Sequence, residues 1–242
     1  MPAYVSHTVM ANEVYRKLDN HNVSKPYMIT FSLGCDLSKY SKCRNDTHKI
    51  KQEEFILNIV KYMKENNLTN DKECLGLLYG HICHVVFDET VHPLVYSISK
   101  SLIKHKHNHT FIEGHYDYYL ASKKLNIQIN KLDNKRLFSG KVNKKISQLL
   151  DTVYDETYNT KNVSKNYCLN LYIYRGAKIL YKLFSLKALK SLSGYNKFLK
   201  RNQNINFRED ELNKLYDQSV NDAIIYINKI NKKLYDKTSW NN

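Results

Sequence analysis

The sequence contains few residues that interrupt helices. Among 242 residues there are only 3 prolines and 7 glycines. Tight β-turns depend on these residues, so a fold made of many β-hairpins is disfavoured and long helices are favoured. Apolar residues recur at helical spacing in segments 8–19, 52–67, 70–92, 109–124, 166–192 and 208–236. The sequence therefore predicts an all-α, single-domain helical bundle over residues 1–242.

Three parts of the chain lack this helical pattern or interrupt it. Residues 24–49 mix Pro, Gly, Ser, Asn and Asp, and we expect them to be mostly irregular after a brief extended run. Residues 125–163 are polar and predict no defined element. Pro93 lacks the N–H group that a helix interior needs, so the helix over 70–92 is expected to kink or end there.

Signatures of secretion and of membrane insertion are also missing. The 5 cysteines are odd in number and contain no CxxC pair, which favours reduced thiols over a disulfide framework. No signal peptide is visible, and no window approaches the ~20 apolar residues of a membrane span. We therefore expect a cytoplasmic protein, and the abundance of Asn, Lys, Ile and Tyr is typical of an AT-rich genome such as that of a large virus or a low-GC bacterium.

Negative charge is scarce in the second half of the chain. Residues 1–120 hold 14 Lys and Arg against 13 Asp and Glu, whereas residues 121–242 hold 24 against 10. This basic helical half favours an anionic partner, either a phospholipid membrane surface or a nucleic acid. The alternative explanation for the lysines is base composition alone. All 10 histidines lie between His7 and His115, so the histidine chemistry belongs to residues 1–120.

The stretch HICHVVFDETVHP, residues 81–93, concentrates side chains that can bind metals. His81, His84, Asp88 and His92 follow one another at gaps of 3, 4 and 4 residues, which places them on one stripe of a helix. Such a stripe is either a wet polar face or a metal site. His81 is the member we expect to support the ligands or to be exposed, and not to bind.

A second pair strengthens the metal interpretation. His109 and Glu113 are four residues apart and therefore share a helix face. Imidazole and carboxylate ligands without thiolate suit zinc in a catalytic site, and less often iron or manganese. Because the ligands exceed the three that one catalytic zinc usually takes, a cluster of two or three ions with a shared carboxylate is expected. The remaining histidines, His21, His105, His107 and His115, are expected at the surface.

In these motifs the chain resembles the zinc-dependent phospholipase C domain family, which is related to the single-strand-specific zinc nucleases. The resemblance rests on the opening MPAYVSHTVMANEV, on SLGCDL, on THK, on LLYGHICHVVFDETVHP and on HNHTFIE, in that order. It covers residues 1–120 well and 205–235 weakly. It implies an all-α bundle with a zinc cluster held between helices, a metal-ligand half over 1–120 and a basic half over 121–242.

The resemblance also implies a ligand set, which consists of His7, Asp36, His48, His84, Asp88, His92, His109 and Glu113. The first ion would be held by Asp36, His48, His84 and Asp88, and the second by His92, His109 and Glu113. His7 and a shared Asp88 would help to hold a third. In the secreted enzymes the free N-terminal amine of a processed chain completes that third site, whereas this chain begins Met-Pro.

The activity that the resemblance implies is hydrolysis of a phosphate ester, as in cleavage of a phospholipid head group by a phospholipase C. Zinc ions neutralise a phosphodiester and lower the pKa of bound water towards ~7, so that hydroxide can attack phosphorus. Asp88 would bridge the metals, and Asp36 would orient or deprotonate the attacking water. Two alternatives stay open: a single-strand nuclease of the same fold, and a non-catalytic, zinc-stabilised module that binds membranes or nucleic acid.

Overall fold

Helices make up most of the described part of the chain. The computed structural model describes residues 4–19, 22–38, 51–102, 108–127, 132–183, 200 and 205–236. The helices are α1 (Tyr4–Lys17), α2 (Lys25–Phe31), α3 (Gln52–Glu65), α4 (Lys72–Ser101), α5 (Asn108–Leu125), α6 (Asn134–Leu137), α7 (Lys144–Tyr158), α8 (Val163–Leu183) and α9 (Glu209–Tyr235), with a 3-10 turn at Gly34–Ser38. These ranges contain no strand. The predicted all-α class is confirmed.

Helix α4 occupies the centre of the bundle. It packs most extensively against α2 and α9, and it also contacts α1, α3 and α5. Gly80 allows α2 to approach closely, since a Cβ at this position would lie 2.7 Å from the carbonyl oxygen of Met28. Most of α4 is buried, and the polar side chains of His81, His84 and Asp88 lie inside the bundle.

Helix α4 is capped by a side chain at its N-terminus and continues past a proline near its C-terminus. Asp71 caps its N-terminus by accepting hydrogen bonds from the backbone N–H groups of Glu73 and Cys74, each at 3.0 Å. The expectation that the helix kinks or ends at Pro93 is wrong as regards its end, because α4 continues to Ser101. Leu94, Val95 and Ile98 beyond the proline are buried, and their packing sustains the helix despite the lost hydrogen bond.

Helices form in two regions for which the sequence predicts none. Residues 25–31 form α2 and not an extended run; Pro26 occupies the first turn, where its missing N–H costs nothing. In the polar region 125–163, Asn143 caps α7 by accepting from the N–H of Ile146 at 3.0 Å. The apolar stripe of α7 faces the core, where Leu149, Leu150 and Val153 are inaccessible to solvent.

One hydrophobic core joins helices from both ends of the chain. It extends from Tyr4 of α1 to Leu234 of α9. No helix in the described ranges is long and apolar enough to cross a membrane. The core therefore fixes α1, α4 and α5 as neighbours, and these three helices carry most of the predicted ligands.

Candidate metal centre

Asp88 lies between three histidines inside the bundle. Its Oδ1 is 3.2 Å from Nε2 of His7, and its Oδ2 is 3.4 Å from Nε2 of His84 and 3.7 Å from Nδ1 of His92. His84, Asp88 and His92 are one helical turn apart on α4, as the sequence predicts. His7 approaches from α1. Both oxygens of Asp88 thus face imidazole nitrogens, and the residue connects the groups on its two sides.

The first group of possible ligands consists of His7, Asp36 and His84. One donor atom from each lies within 4.8 Å of the other two. The rings of His7 and His84 stack with their centroids 4.5 Å apart. The resemblance implies that His7 and a shared Asp88 help to hold a third ion; His7 lies 3.2 Å from Asp88 and also near Asp36 and His84, so its assignment to one ion stays a prediction. His48, which is expected in this group, lies outside the described residues.

The second group consists of His92, His109 and Glu113, whose donor atoms also lie within 4.8 Å of one another. Oε1 of Glu113 is 2.9 Å from Nε2 of His109 and 3.3 Å from Nε2 of His92. His109 and Glu113 share a face of α5, and α5 packs against α4. Because His92 contacts Asp88 as well as Glu113, the two groups form one continuous cluster.

Asp88 and Glu113 both have lowered pKa values, which keep their carboxylates ionised. Burial opposes the charge of Asp88, but the neighbouring histidines, His84 first, outweigh burial and hold the pKa of Asp88 well below its usual range. Burial also opposes the charge of Glu113, yet hydrogen bonds from His109 and His92 lower its pKa. Two negative charges are therefore maintained in a largely buried place, where they attract positive charge strongly.

The carboxylates raise the pKa values of two neighbouring histidines. Burial disfavours a proton on His7, but the hydrogen bond and charge of Asp88 outweigh it and raise the pKa of His7. Burial likewise acts against His92, whose pKa is raised by Glu113 and Asp88. The cluster thus favours positive charge at its centre, carried either by protons or by a metal cation.

Most distances between donor atoms are close to those expected for zinc. Two ligand atoms bound to one tetrahedral zinc at about 2.0 to 2.2 Å lie about 3.3 to 3.6 Å apart. The pairs around Asp88 span 3.2 to 3.7 Å and the pair His92–Glu113 is 3.3 Å apart, whereas the 2.9 Å between His109 and Glu113 is a hydrogen-bond distance. Histidine nitrogens and carboxylate oxygens are also the donors of catalytic zinc sites. The residues present therefore fit zinc held between α1, α4 and α5.

Two unsatisfied nitrogens give independent support for a bound cation. Nδ1 of His7 and Nδ1 of His109 are buried and have no hydrogen-bond partner among the described residues. A buried polar atom without a partner is costly, and in native proteins a bound ion or water usually accounts for it. The number of ions and the role of each ligand stay predictions.

His81 takes no part in the cluster and is not exposed. Only 3% of its surface is accessible. Its Nδ1 donates to the carbonyl oxygen of Leu77 at 3.0 Å, and its Nε2 lies 3.1 Å from the hydroxyl of Tyr167. Burial lowers the pKa of His81 to about 4, so the ring is neutral. His81 is on the same stripe of α4 but lies about one turn before His84, where its ring packs against Phe31, Phe55 and Tyr167 in the core.

His115 also differs from its expected position at the surface. Its Nε2 lies 2.8 Å from Oε1 of Glu209, and its ring stacks on Phe207 with centroids 3.6 Å apart. The contact fastens the start of α9 to α5. His21, His105 and His107 lie outside the described residues.

Asp117 is a residue of the site that the sequence analysis missed. It is buried on α5, one turn after Glu113, and it accepts hydrogen bonds from the N–H of Ser6 at 2.8 Å and from the N–H of Val5 at 3.3 Å. The hydroxyl of Ser6 donates to it at 2.6 Å. Asp117 therefore holds the first turn of α1, which carries His7. The four-residue spacing from Glu113 is the signal that could have identified it.

Cys35 is a second residue that the sequence analysis missed. Its Sγ lies 3.1 Å from Nε2 of His84. The signal in the sequence is its position directly before Asp36, a candidate ligand. The structure thus adds a thiol to the surroundings of the first group.

The cluster borders a small cleft lined by both polar and apolar side chains. The polar ones are Ser6, His7, Asp88, His92 and Glu113, and the others are Phe87, Val91, Val95 and Tyr116. Apolar walls lower the local dielectric constant and strengthen the attraction between a cation and an anion bound there. The arrangement can therefore hold metal cations and present them to an anionic ligand.

Comparison with known proteins agrees with this geometry. The family model described as zinc dependent phospholipase C matches residues 6–162, which include every described residue of the cluster. No curated protein and no solved structure gives a significant match to the chain. Since the family model spans well over half of the sequence and the matched residues converge on one centre, the chain belongs to the zinc-dependent phospholipase C family.

Proposed function

We propose that this protein is a zinc-dependent phosphodiester hydrolase that releases the head group of a phospholipid, as a phospholipase C does. Family membership supports hydrolysis at a zinc centre. The observation that supports it most strongly is the position of Asp88, whose two oxygens contact His7 on one side and His84 and His92 on the other. A carboxylate in this position can be shared between neighbouring cations.

Each part of the cluster has a distinct task in the proposed reaction. Bound zinc supplies positive charge that stabilises an anionic phosphate ester and increases the acidity of water. Asp88 and Glu113 hold that charge at adjacent positions. Asp36 is half-buried at the edge of the first group, and we assign it the orientation of the attacking water and the acceptance of its proton. Asp117 keeps His7 in place through α1.

The lipid substrate is proposed on the basis of charge and of the rim of the site. The chain carries a net charge of +15, and each Lys or Arg near an anionic membrane contributes about 1 kcal/mol to binding. Tyr96 is half exposed, and its ring centroid is 4.9 Å from that of His109. An exposed aromatic ring beside the centre can contact a quaternary ammonium group by a cation–π interaction.

The first experiment measures metal content in protein purified without chelator. Wild type is compared with Asp88→Ala and with His115→Gln, a control that removes a histidine of α5 outside the cluster. We expect at least two zinc ions per chain in wild type and in the control, and a loss of most of them in Asp88→Ala. Substoichiometric metal that does not respond to Asp88→Ala would refute the centre.

The second experiment separates the possible activities. Zinc-loaded wild type is incubated with phosphatidylcholine vesicles, with vesicles that also contain phosphatidylserine, and with single-stranded DNA. Release of a phosphorylated head group, absent in Asp88→Ala, is the expected result. Cleavage of DNA alone would show a nuclease instead, and salt-sensitive binding of vesicles or DNA without turnover would show a non-catalytic binding module.

A further inference from the structure

Helix α8 has a buried side and an exposed side, and the exposed side carries two large apolar residues. Leu169 is 49% and Tyr172 is 77% exposed, whereas Tyr167 and Asn170 are buried. Tyr172 is the most exposed large apolar side chain in the described part of the chain, and no other two such exposed side chains there lie within one helical turn of each other. Single exposed apolar residues are ordinary, but an adjacent pair begins to form a patch.

A cation lies on the same side of α8. Lys165 precedes Leu169 by four residues and Leu169 precedes Tyr172 by three, so the three side chains share one stripe of the helix. Lys165 is exposed, and none of the described carboxylates contacts its ammonium group. We call these three residues the α8 patch.

The sequence around the α8 patch is basic and contains no acidic residue. Residues 157–208, which include all of α8, hold 11 Lys and Arg and no Asp or Glu. Apolar side chains within a basic region match a bilayer that contains anionic lipids, because such a bilayer presents negative head groups above an apolar layer. A nucleic acid would supply the negative charge but no apolar layer for an aliphatic side chain such as Leu169.

We propose that the α8 patch binds the surface of a bilayer that contains anionic phospholipids. In this complex Leu169 enters the boundary of the acyl chains, the ring of Tyr172 lies at the level of the head groups, and the ammonium group of Lys165 contacts lipid phosphates. Helix α8 then lies in the plane of the membrane surface, with its buried side towards the bundle.

The buried side of α8 connects the patch to the metal centre. Tyr167 and Asn170 contact the carbonyl oxygens of Gly34 and Leu37, on either side of Asp36. The turn that carries Asp36 is therefore separated from the bound bilayer by one helix, whose diameter is about 10 to 12 Å. The catalytic use of this proximity rests on the proposed function, whereas binding by the patch requires no turnover.

Flotation with vesicles tests the proposal. Wild type, the double variant Leu169→Ser/Tyr172→Ser and Lys165→Glu are mixed with vesicles of phosphatidylcholine alone or of phosphatidylcholine and phosphatidylserine. We expect wild type to bind the mixed vesicles more tightly, and each variant to bind them about 10-fold more weakly or worse, because apolar burial or charge attraction is lost. Hydrolysis of a short-chain phosphatidylcholine that is monomeric in solution should not change.

Ile225→Ser and Lys229→Glu are the matched controls, because both residues are exposed on α9. Wild type that floats with neither kind of vesicle, full binding by the α8 variants, or a loss that the controls share would overturn the proposal. Self-association that is lost in the double variant, with vesicle binding unchanged, would assign the patch to a second copy of the chain. If no lipid is hydrolysed but the double variant alone loses vesicle binding, the proposed function fails and the patch stands.

Cys168 gives a direct measurement at the patch, because its thiol is exposed and it precedes Leu169 on α8. An environment-sensitive fluorophore is attached to it in a Cys43→Ser background. We expect its emission to shift to the blue when mixed vesicles are added, as the label leaves water. Emission that stays unchanged while the labelled protein floats with the vesicles would place the bound surface elsewhere and refute the proposal.

Discussion

Gly34 packs directly against the imidazole of His84. A Cβ at position 34 would lie 2.3 Å from Cγ and 2.4 Å from Cδ2 of that ring. Gly34 also has a φ of +47°, a left-handed conformation that glycine adopts at little cost. The 3-10 turn that carries Cys35 and Asp36 can therefore approach α4 only because residue 34 has no side chain.

This contact predicts that Gly34→Ala weakens metal binding at the first group. The added methyl must push either the turn or the His84 ring, and displacement of a ligand's supporting residues commonly lowers metal affinity about 10- to 100-fold. Zinc titration by calorimetry measures the loss. Gly114→Ala is the matched control, because this glycine adjoins Glu113 on α5 and a Cβ there meets nothing within 4 Å. Equal affinities in the two variants would contradict the prediction.

The part of the site that lies on single helices follows from the sequence. His84, Asp88 and His92 face one direction because α4 repeats every 3.6 residues, and the same rule joins His109 to Glu113. The all-α fold follows from the scarcity of Pro and Gly and from the apolar periodicity. These features are local, so a pattern along the chain is enough to identify them.

The part of the site that depends on tertiary contacts does not follow from periodicity. Asp117 contacts Ser6 across 111 positions of sequence, and Cys35 contacts His84 across 49. No regular spacing links such pairs. Helix α2 was missed for a different reason, since composition suggested a loop where Pro26 in fact marks the first turn of a helix.

Metal binding is expected to strengthen as pH rises. The carboxylates raise the pKa values of His7 and His92 above the ordinary value of 6.5, so both rings hold protons in slightly acidic solution. A metal must displace these protons, and each one displaced makes the apparent affinity fall about tenfold for every pH unit below the pKa. Zinc titrations at several pH values, with proton release measured in buffers of different ionisation enthalpy, check this. An affinity that does not change with pH would contradict the assigned ligands.

Protonation of His81 should destabilise the fold in acid. The pKa of His81 is about 4 in the folded protein, against 6.5 for an ordinary histidine. Below pH 6.5 the unfolded chain binds a proton that the native state does not, so stability is complete above 6.5 and is lost as pH falls towards 4. A difference of this size corresponds to about 3 kcal/mol in the free energy of unfolding.

Denaturant unfolding of metal-free wild type and His81→Gln between pH 7 and pH 4 isolates this contribution. The glutamine cannot titrate, and its amide can replace a hydrogen bond to the Tyr167 hydroxyl. We expect the free energy of unfolding of wild type to fall more steeply with acid than that of the variant. Parallel curves would mean that His81 is protonated equally in both states.

Helix α8 lies beyond the matched residues 6–162, yet it holds the turn that carries Asp36. The Tyr167 hydroxyl contacts the carbonyl oxygen of Gly34 at 3.1 Å, and Nδ2 of Asn170 donates to the carbonyl oxygen of Leu37 at 2.8 Å. The two contacts lie on either side of Asp36. Both side chains are nearly inaccessible to solvent, so the hydrogen bonds do not compete with water.

Asn170→Ala should therefore lower the metal affinity of the first group and spare the second. Loss of the Asn170 amide removes the hydrogen bond to the Leu37 carbonyl and releases one end of the turn. A residue that positions a ligand in this way commonly contributes about 10-fold or more to metal affinity. Zinc titration by calorimetry follows the separate binding steps: loss of a positioning contact weakens one step, whereas loss of stability alone would weaken both equally. Asn166→Ala, on the same helix and without a hydrogen bond to the turn among the described residues, is the control. If Asn170→Ala weakens both groups to the same extent, α8 stabilises the bundle as a whole and does not position Asp36.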